Sequence, residues 1–173
     1  MKIFMLYDQI QAGKGTKDDS MTELNIIKST VGPAVMMENY LKKYDGKVLA
    51  CIYSGDKYYD ENKDLVNKKI IGMLNKVQPD ILICGPSFNY EGYSKMAINI
   101  ALEVNKNTST KAICAMSEEN TDLIEQYKNE LFIVKTPKKG GTGLNTALEA
   151  ITIVAKNIID NKDLNETKEK YCY

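Results

Sequence analysis

Two of the residue types that do chemistry are missing from this chain. Its 173 residues include no histidine and no arginine, so all 23 basic side chains are lysine. Without imidazole there is no Ser-His couple and no histidine metal site, and without guanidinium there is no bidentate clamp for phosphate or carboxylate. Carboxylates are what remain for acid–base work. Asp8, Asp56, Glu118 and Glu119 each follow shortly after an apolar run, where a strand would end. The richest stretch for binding is Asp80 to Gly92, DILICGPSFNYEG, in which an apolar run stops at Gly85-Pro86 and leads into Ser87, Phe88, Asn89 and Tyr90.

The remaining chemistry-bearing residues sit at comparable places. Gly32 precedes Pro33 at the start of a helical pattern, where free N–H groups would face an anion. Ser54-Gly55-Asp56 ends another apolar run. Lys138-Lys139-Gly140-Gly141-Thr142 combines charge, a backbone that approaches ligands closely and a helix-capping hydroxyl. Gly13-Lys14-Gly15-Thr16 lacks the first glycine and the spacing of a phosphate loop. Cys51, Cys84 and Cys114 lie inside apolar runs and read as reduced core thiols, whereas Cys172 lies in a polar tail and is expected to be accessible. No C-x-x-C pair or zinc spacing is present, so neither a metal nor a cofactor is expected.

Strands and helices must position these groups. Apolar runs at Ile3 to Tyr7, Val48 to Tyr53, Ile81 to Cys84, Lys111 to Met116 and Leu131 to Val134 alternate with amphipathic patterns at 34–44, 62–76, 93–104, 118–127 and 144–159. This alternation, with no tight hairpin signal, predicts an α/β fold. It would be a doubly wound, five-stranded parallel sheet flanked by helices, Rossmann-like or flavodoxin-like, with strand order 2-1-3-4-5 or 3-2-1-4-5. Residues 1–160 read as one ligand-binding domain and 161–173 as a charged, frayed tail. Between the first strand and the first helix lies a long polar segment of the kind that is usually functional or mobile. Right-handed crossovers place every post-strand loop on one edge, so Asp8, Gly32, Ser54 to Asp56, Gly85 to Tyr90, Glu119, Asn120 and Lys139 to Thr142 would ring one crevice.

Composition limits the partners. Lysine balances Asp plus Glu at 23 each, so no long-range field favours nucleic acid or an anionic membrane. The first residues are too short an apolar run for a signal peptide and no stretch reaches the length of a membrane span, which together imply a cytoplasmic protein. Self-association into a homo-oligomer is compatible with this composition.

Four segments resemble a known family. Val31-Gly32-Pro33, Ile52 to Tyr59 (IYSGDKYY), Pro79 to Tyr93 (PDILICGPSFNYEGY) and the glycine-rich stretch before the last helix are similar to the N-terminal half of the selenoprotein B subunit of glycine/sarcosine/betaine reductase, in the same order over about residues 1–160. Family subunits are much longer, and their Cys-x-x-selenocysteine motif belongs to the other half. The resemblance therefore implies the family's pocket architecture without its redox pair. Two departures bear on the ligand: an arginine before the family's Tyr-Gly is lost at Glu91-Gly92-Tyr93, and Ser117 to Asn120 keeps only the Glu119-Asn120 pair.

These readings favour a stand-alone, non-catalytic protein that captures or sequesters a small polar or nucleotide-like metabolite, such as a signalling nucleotide. Aromatic residues such as Phe88 or Tyr90 would stack on a planar ligand, and polar loop groups would hydrogen-bond it. The alternative is an accessory or split subunit of an amino-acid reductase, with a partner subunit carrying the redox group. A hydrolase or transferase using Asp8, Asp56, Glu118 or Glu119 is the third reading.

Overall fold

Lys2–Tyr7 (β1) buries every residue but its first, because its hydrophobic side chains alternate between two helical layers and leave no solvent face. The computed structural model describes residues 1–173. Strands Asn25–Ile27 (β2), Lys47–Tyr53 (β3), Ile81–Ser87 (β4), Lys111–Ser117 (β5) and Ile133–Thr136 (β6) complete one six-stranded sheet in the order β2-β3-β1-β4-β5-β6. Pro33–Lys43 (α1) and Leu144–Ile159 (α6) cover one face against Ile3, Met5, Tyr7, Ile83 and Ala115. Asp56–Glu61 (α2), Lys63–Val77 (α3), Glu91–Asn107 (α4) and Thr121–Tyr127 (α5) cover the other against Phe4, Leu6, Leu82, Cys84 and Met116. Each Leu or Ile fully buried this way contributes about 1.5–3 kcal/mol, so both layers are strongly held.

The α/β class is as expected, and the five parallel strands take the order 2-1-3-4-5, written here β3-β1-β4-β5-β6. The sheet differs from the expectation in having a sixth strand. Asn25–Ile27 pairs antiparallel with β3, because Ile26 and Ile27 inside the polar segment find a free sheet edge. β4 also runs past Gly85-Pro86 to Ser87, with a register shift against β5 that absorbs the proline. Gly85 has φ of +125°, and a Cβ there would lie 2.5 Å from the Ala115 carbonyl oxygen, so only glycine lets the strand continue.

The C-terminal residues are not frayed. Leu164–Tyr171 (α7) is capped by Asp163, whose carboxylate accepts from the Asn165 and Glu166 N–H groups at 3.0 Å each. Cys172, expected to be accessible, is 2% exposed and bridges to Val134, while the Tyr173 N–H donates to the Ile133 carbonyl at 3.1 Å. These residues cover the outer edge of β6, a backbone edge that would otherwise seek another partner. No helix is long and apolar enough to cross a membrane.

Candidate functional site

β1 is followed by α1 on one face of the sheet, and β3 leads to β4 through α2 and α3 on the other. The connections thus depart in opposite directions beside β1 and β4, and their carboxyl ends flank the crevice where open α/β sheets bind ligands. Asp8 lies just past β1, Asp56 opens α2 just past β3, and Tyr90 precedes α4 just past β4.

These three residues come together. Tyr90 donates its hydroxyl proton to Asp56 Oδ1 at 2.7 Å. Gly92 allows this approach, because a Cβ there would overlap Asp56 Oδ2. Asp8 is 3% exposed, and its Oδ1 accepts the Gln11 N–H at 2.7 Å. Burial, reinforced by the Asp56 charge and opposed by the Gln11 N–H, raises the Asp8 pKa above the usual aspartate value. Burial and the bond to Asp56 likewise push the Tyr90 phenol up. Every ion pair in the chain lies elsewhere, so neither carboxylate has a lysine partner. No three His, Cys, Asp or Glu side chains converge in metal-binding geometry.

The segment after β1 covers this group as a strap. Gln9 Nε2 donates to the Thr16 carbonyl at 2.9 Å, and Thr16 and Asp19 cap a short 3-10 helix, Lys17–Asp19. The strap then seats on the start of α2: Gly55 N–H donates to the Thr22 carbonyl at 2.8 Å and Tyr58 N–H to the Ser20 carbonyl at 3.1 Å. Gly55 is needed for this contact, since a Cβ would overlap the Ser20 carbonyl oxygen. Three buried side-chain oxygens lack partners: Gln9 Oε1, Gln11 Oε1 and Thr136 Oγ1. All three belong to residues at or just past the carboxyl end of a strand, and buried polar atoms left unpaired are rare. Gln9 and Gln11 were missed by sequence reasoning, although the alternation Asp-Gln-x-Gln directly after an apolar strand was there to be read.

The other expected site residues fall into three sets. Ser54, Gly55, Gly85, Pro86 and Ser87 are buried and face protein; Ser54 Oγ donates to the Gly55 carbonyl and Ser87 Oγ accepts from Ser94 Oγ at 3.0 Å. Gly32 presses on the Gln11 carbonyl oxygen, and the α1 N–H at Ala34 donates to the Tyr7 hydroxyl at 2.9 Å instead of facing an open anion site. A second set frames an open cleft of about 410 Å³, lined by Asn89, Glu91, Glu119, Asn120, Thr121 and Asp122. There Asn120 Nδ2 donates to the Phe88 carbonyl at 2.6 Å, and Glu119 accepts from Ser117 Oγ at 2.8 Å and the Lys139 N–H at 3.1 Å. The Lys139 N–H, followed by Ser117, lowers the Glu119 pKa. The third set, Gly140, Gly141 and Thr142, is exposed beyond this cleft. Thr142 does not cap α6; Gly143 occupies that position, with no side-chain cap.

Comparison with known proteins follows the same line. The family model for glycine/sarcosine/betaine reductase selenoprotein B matches residues 1–173. The chain is 26% identical over 156 residues to the sarcosine reductase complex component B subunit beta of Peptoclostridium acidaminophilum, covering 90% of this chain and 35% of that protein. It is 25% identical over 140 residues to the glycine reductase complex component B subunit gamma of Carboxydothermus hydrogenoformans, covering 81% and 32%. It is also 25% identical over 171 residues to the betaine reductase complex component B subunit beta of P. acidaminophilum, covering 98% and 38%. The chain therefore spans about a third of the length of the curated relatives it matches, less than the half that its motifs suggested. No solved structure matches.

Proposed function

Because the chain belongs to the glycine/sarcosine/betaine reductase selenoprotein B family, we propose that it works as a component B-type subunit of a reductase system for small amines. In this role it holds the substrate's cationic nitrogen at Asp8 and Asp56 while a partner chain supplies the redox group. The observation that carries this reading is the uncompensated pair of carboxylates at the switch point. A buried carboxylate without a counter-charge is costly, and an ammonium ion supplies what is missing. The relatives' names supply the substrate class: glycine, sarcosine and betaine all carry a cationic nitrogen next to a carboxylate.

The same geometry fits a nucleotide-like anion less well. Arginine is absent, the Lys139 N–H serves Glu119, and the Ala34 N–H serves Tyr7. The redox step is assigned elsewhere because the four thiols of these 173 residues are buried, the neighbouring Cys84 and Cys114 among them, and none forms a Cys-x-x-Cys pattern. A ligand reaches Asp8 when the strap between Ala12 and Thr22, tied by a few hydrogen bonds, opens, and the strap closes over the bound ligand with the Gln9–Thr16 bond restored.

Calorimetric titration with glycine, sarcosine and betaine tests the proposal on wild type and on Asp56→Asn. Losing one charge-assisted contact of about 1.5–3 kcal/mol should weaken amine binding roughly tenfold to hundredfold. Absence of binding by all three amines, or equal affinity in Asp56→Asn, would refute it.

A further inference from the structure

We propose that Gln9 is a specificity-determining acceptor of this site, selecting amines that keep N–H donors over fully methylated ones. The proposal rests on the amine reading above and goes one step further, from the charge of the ligand to its hydrogen-bonding capacity.

Gln9 is completely buried. Its Nε2 is committed to the Thr16 carbonyl at 2.9 Å, which fixes the amide and leaves Oε1 as an acceptor with no donor. The Gln9 amide also hydrogen-bonds the Tyr90 oxygen, while the Tyr90 hydroxyl donates to Asp56 Oδ1 at 2.7 Å. Gln11, tied to Asp8 through its N–H and to the Pro86 carbonyl through Nε2 at 2.5 Å, has a second unpartnered Oε1. The unpaired side-chain atoms here are acceptors, the two amide oxygens beside two carboxylates; each amide Nε2 keeps one further N–H, and that of Gln9 lies against the Tyr90 oxygen. Tyr90 has one proton and it is already placed.

A ligand that satisfies this arrangement must bring donors. A primary ammonium brings three N–H groups, a singly methylated one two, a doubly methylated one one, and a quaternary one none. The quaternary ion matches the charge of Asp8 and Asp56 but leaves the Gln9 carbonyl unpaired in a dry setting, since C–H groups are weak donors. Sites built to hydrogen-bond a group reject analogues lacking it far more strongly than apolar sites reject a change in size. Charge alone would make the four amines equivalent, whereas the orphaned oxygen orders them.

The test is calorimetric titration with glycine and its N-methyl, N,N-dimethyl and N,N,N-trimethyl derivatives. Wild type is compared with Gln9→Met, which keeps the volume and removes the acceptor, and Gln9→Glu, which keeps an acceptor. Affinity should fall along the series, with the trimethyl compound at least about tenfold weaker than glycine. Gln9→Met should lose that ratio and Gln9→Glu retain it. Thermal melts check that the variants fold, and the Gln9 side-chain amide resonance of wild type gives a readout independent of them, shifting with glycine and not with the trimethyl compound. Equal binding of all four by wild type would overturn the role of Gln9 while leaving the amine site standing. Selectivity that survives in a folded Gln9→Met would also overturn it. No binding of any amine would overturn both readings.

Discussion

Replacing Gly55 by alanine tests how the strap is seated. Its backbone, φ −69° and ψ 142°, suits any residue, so the substitution carries no intrinsic strain. What it changes is the space: a Cβ overlaps the Ser20 carbonyl oxygen and lies 2.8 Å from Thr22 N. Both are strap backbone atoms, which move only if the strap lifts. Lifting it breaks the bonds from Gly55 N–H to Thr22 and from Tyr58 N–H to Ser20, each worth about 0.5–1.5 kcal/mol net. The stiffer unfolded chain offsets roughly 0.4–1 kcal/mol of that loss. A net cost of about 1–2 kcal/mol should lower the melting temperature by about 2–8 °C in a chain of this size. Hydrogen exchange should show lost protection at the Gly55 and Tyr58 amides and unchanged protection in β4. Gly72→Ala is the control, since nothing lies within 4 Å of its Cβ and an exposed helix position gains about 0.5–1 kcal/mol from alanine. If Gly55→Ala melts like wild type with both amides still protected, the strap is not seated on the start of α2 as described.

Native thiol titration should label none of the four cysteines quickly, because all are buried and burial pushes the Cys172 thiol up to about 12; rapid labelling of one would place Cys172 outside the fold. Deleting Cys172 and Tyr173 removes the Tyr173 bonds to the Ile133 and Met116 carbonyls, so stability should fall by about 1–3 kcal/mol. The bared β6 edge should also increase self-association in size-exclusion chromatography. Asp8→Asn should shift stability with pH. Burial raises the folded-state pKa of Asp8, so its contribution is fully present below the unfolded value and is lost as pH rises through the folded one. The variant should therefore melt above wild type at about pH 7 and approach it at about pH 3, and a gap that does not close on acidification would contradict the assignment of its cause.

Much of this protein was legible in its residue order. Short apolar runs flanked by Gly, Pro, Ser and Asp revealed the five parallel strands, because a strand buried on both faces needs side chains that are apolar regardless of direction. Composition ruled out imidazole and guanidinium chemistry, and the GPSFNYEGY stretch led to the family. Local patterns failed where a long-range partner decides the outcome. Asn25–Ile27 is a strand only because β3 offers a free edge, and Cys172 is buried only because β6 lies opposite it. The candidate site divides in the same way. That Asp8, Asp56 and Tyr90 lie on one edge follows from strands running parallel, which sequence alternation predicts. That Asp56 accepts the Tyr90 hydroxyl from 34 residues away, that no lysine pairs with either carboxylate, and that Gln9 keeps an unpaired oxygen are consequences of packing. Side-chain identity states what each group can donate or accept, and only the tertiary structure decides which of those capacities are already used.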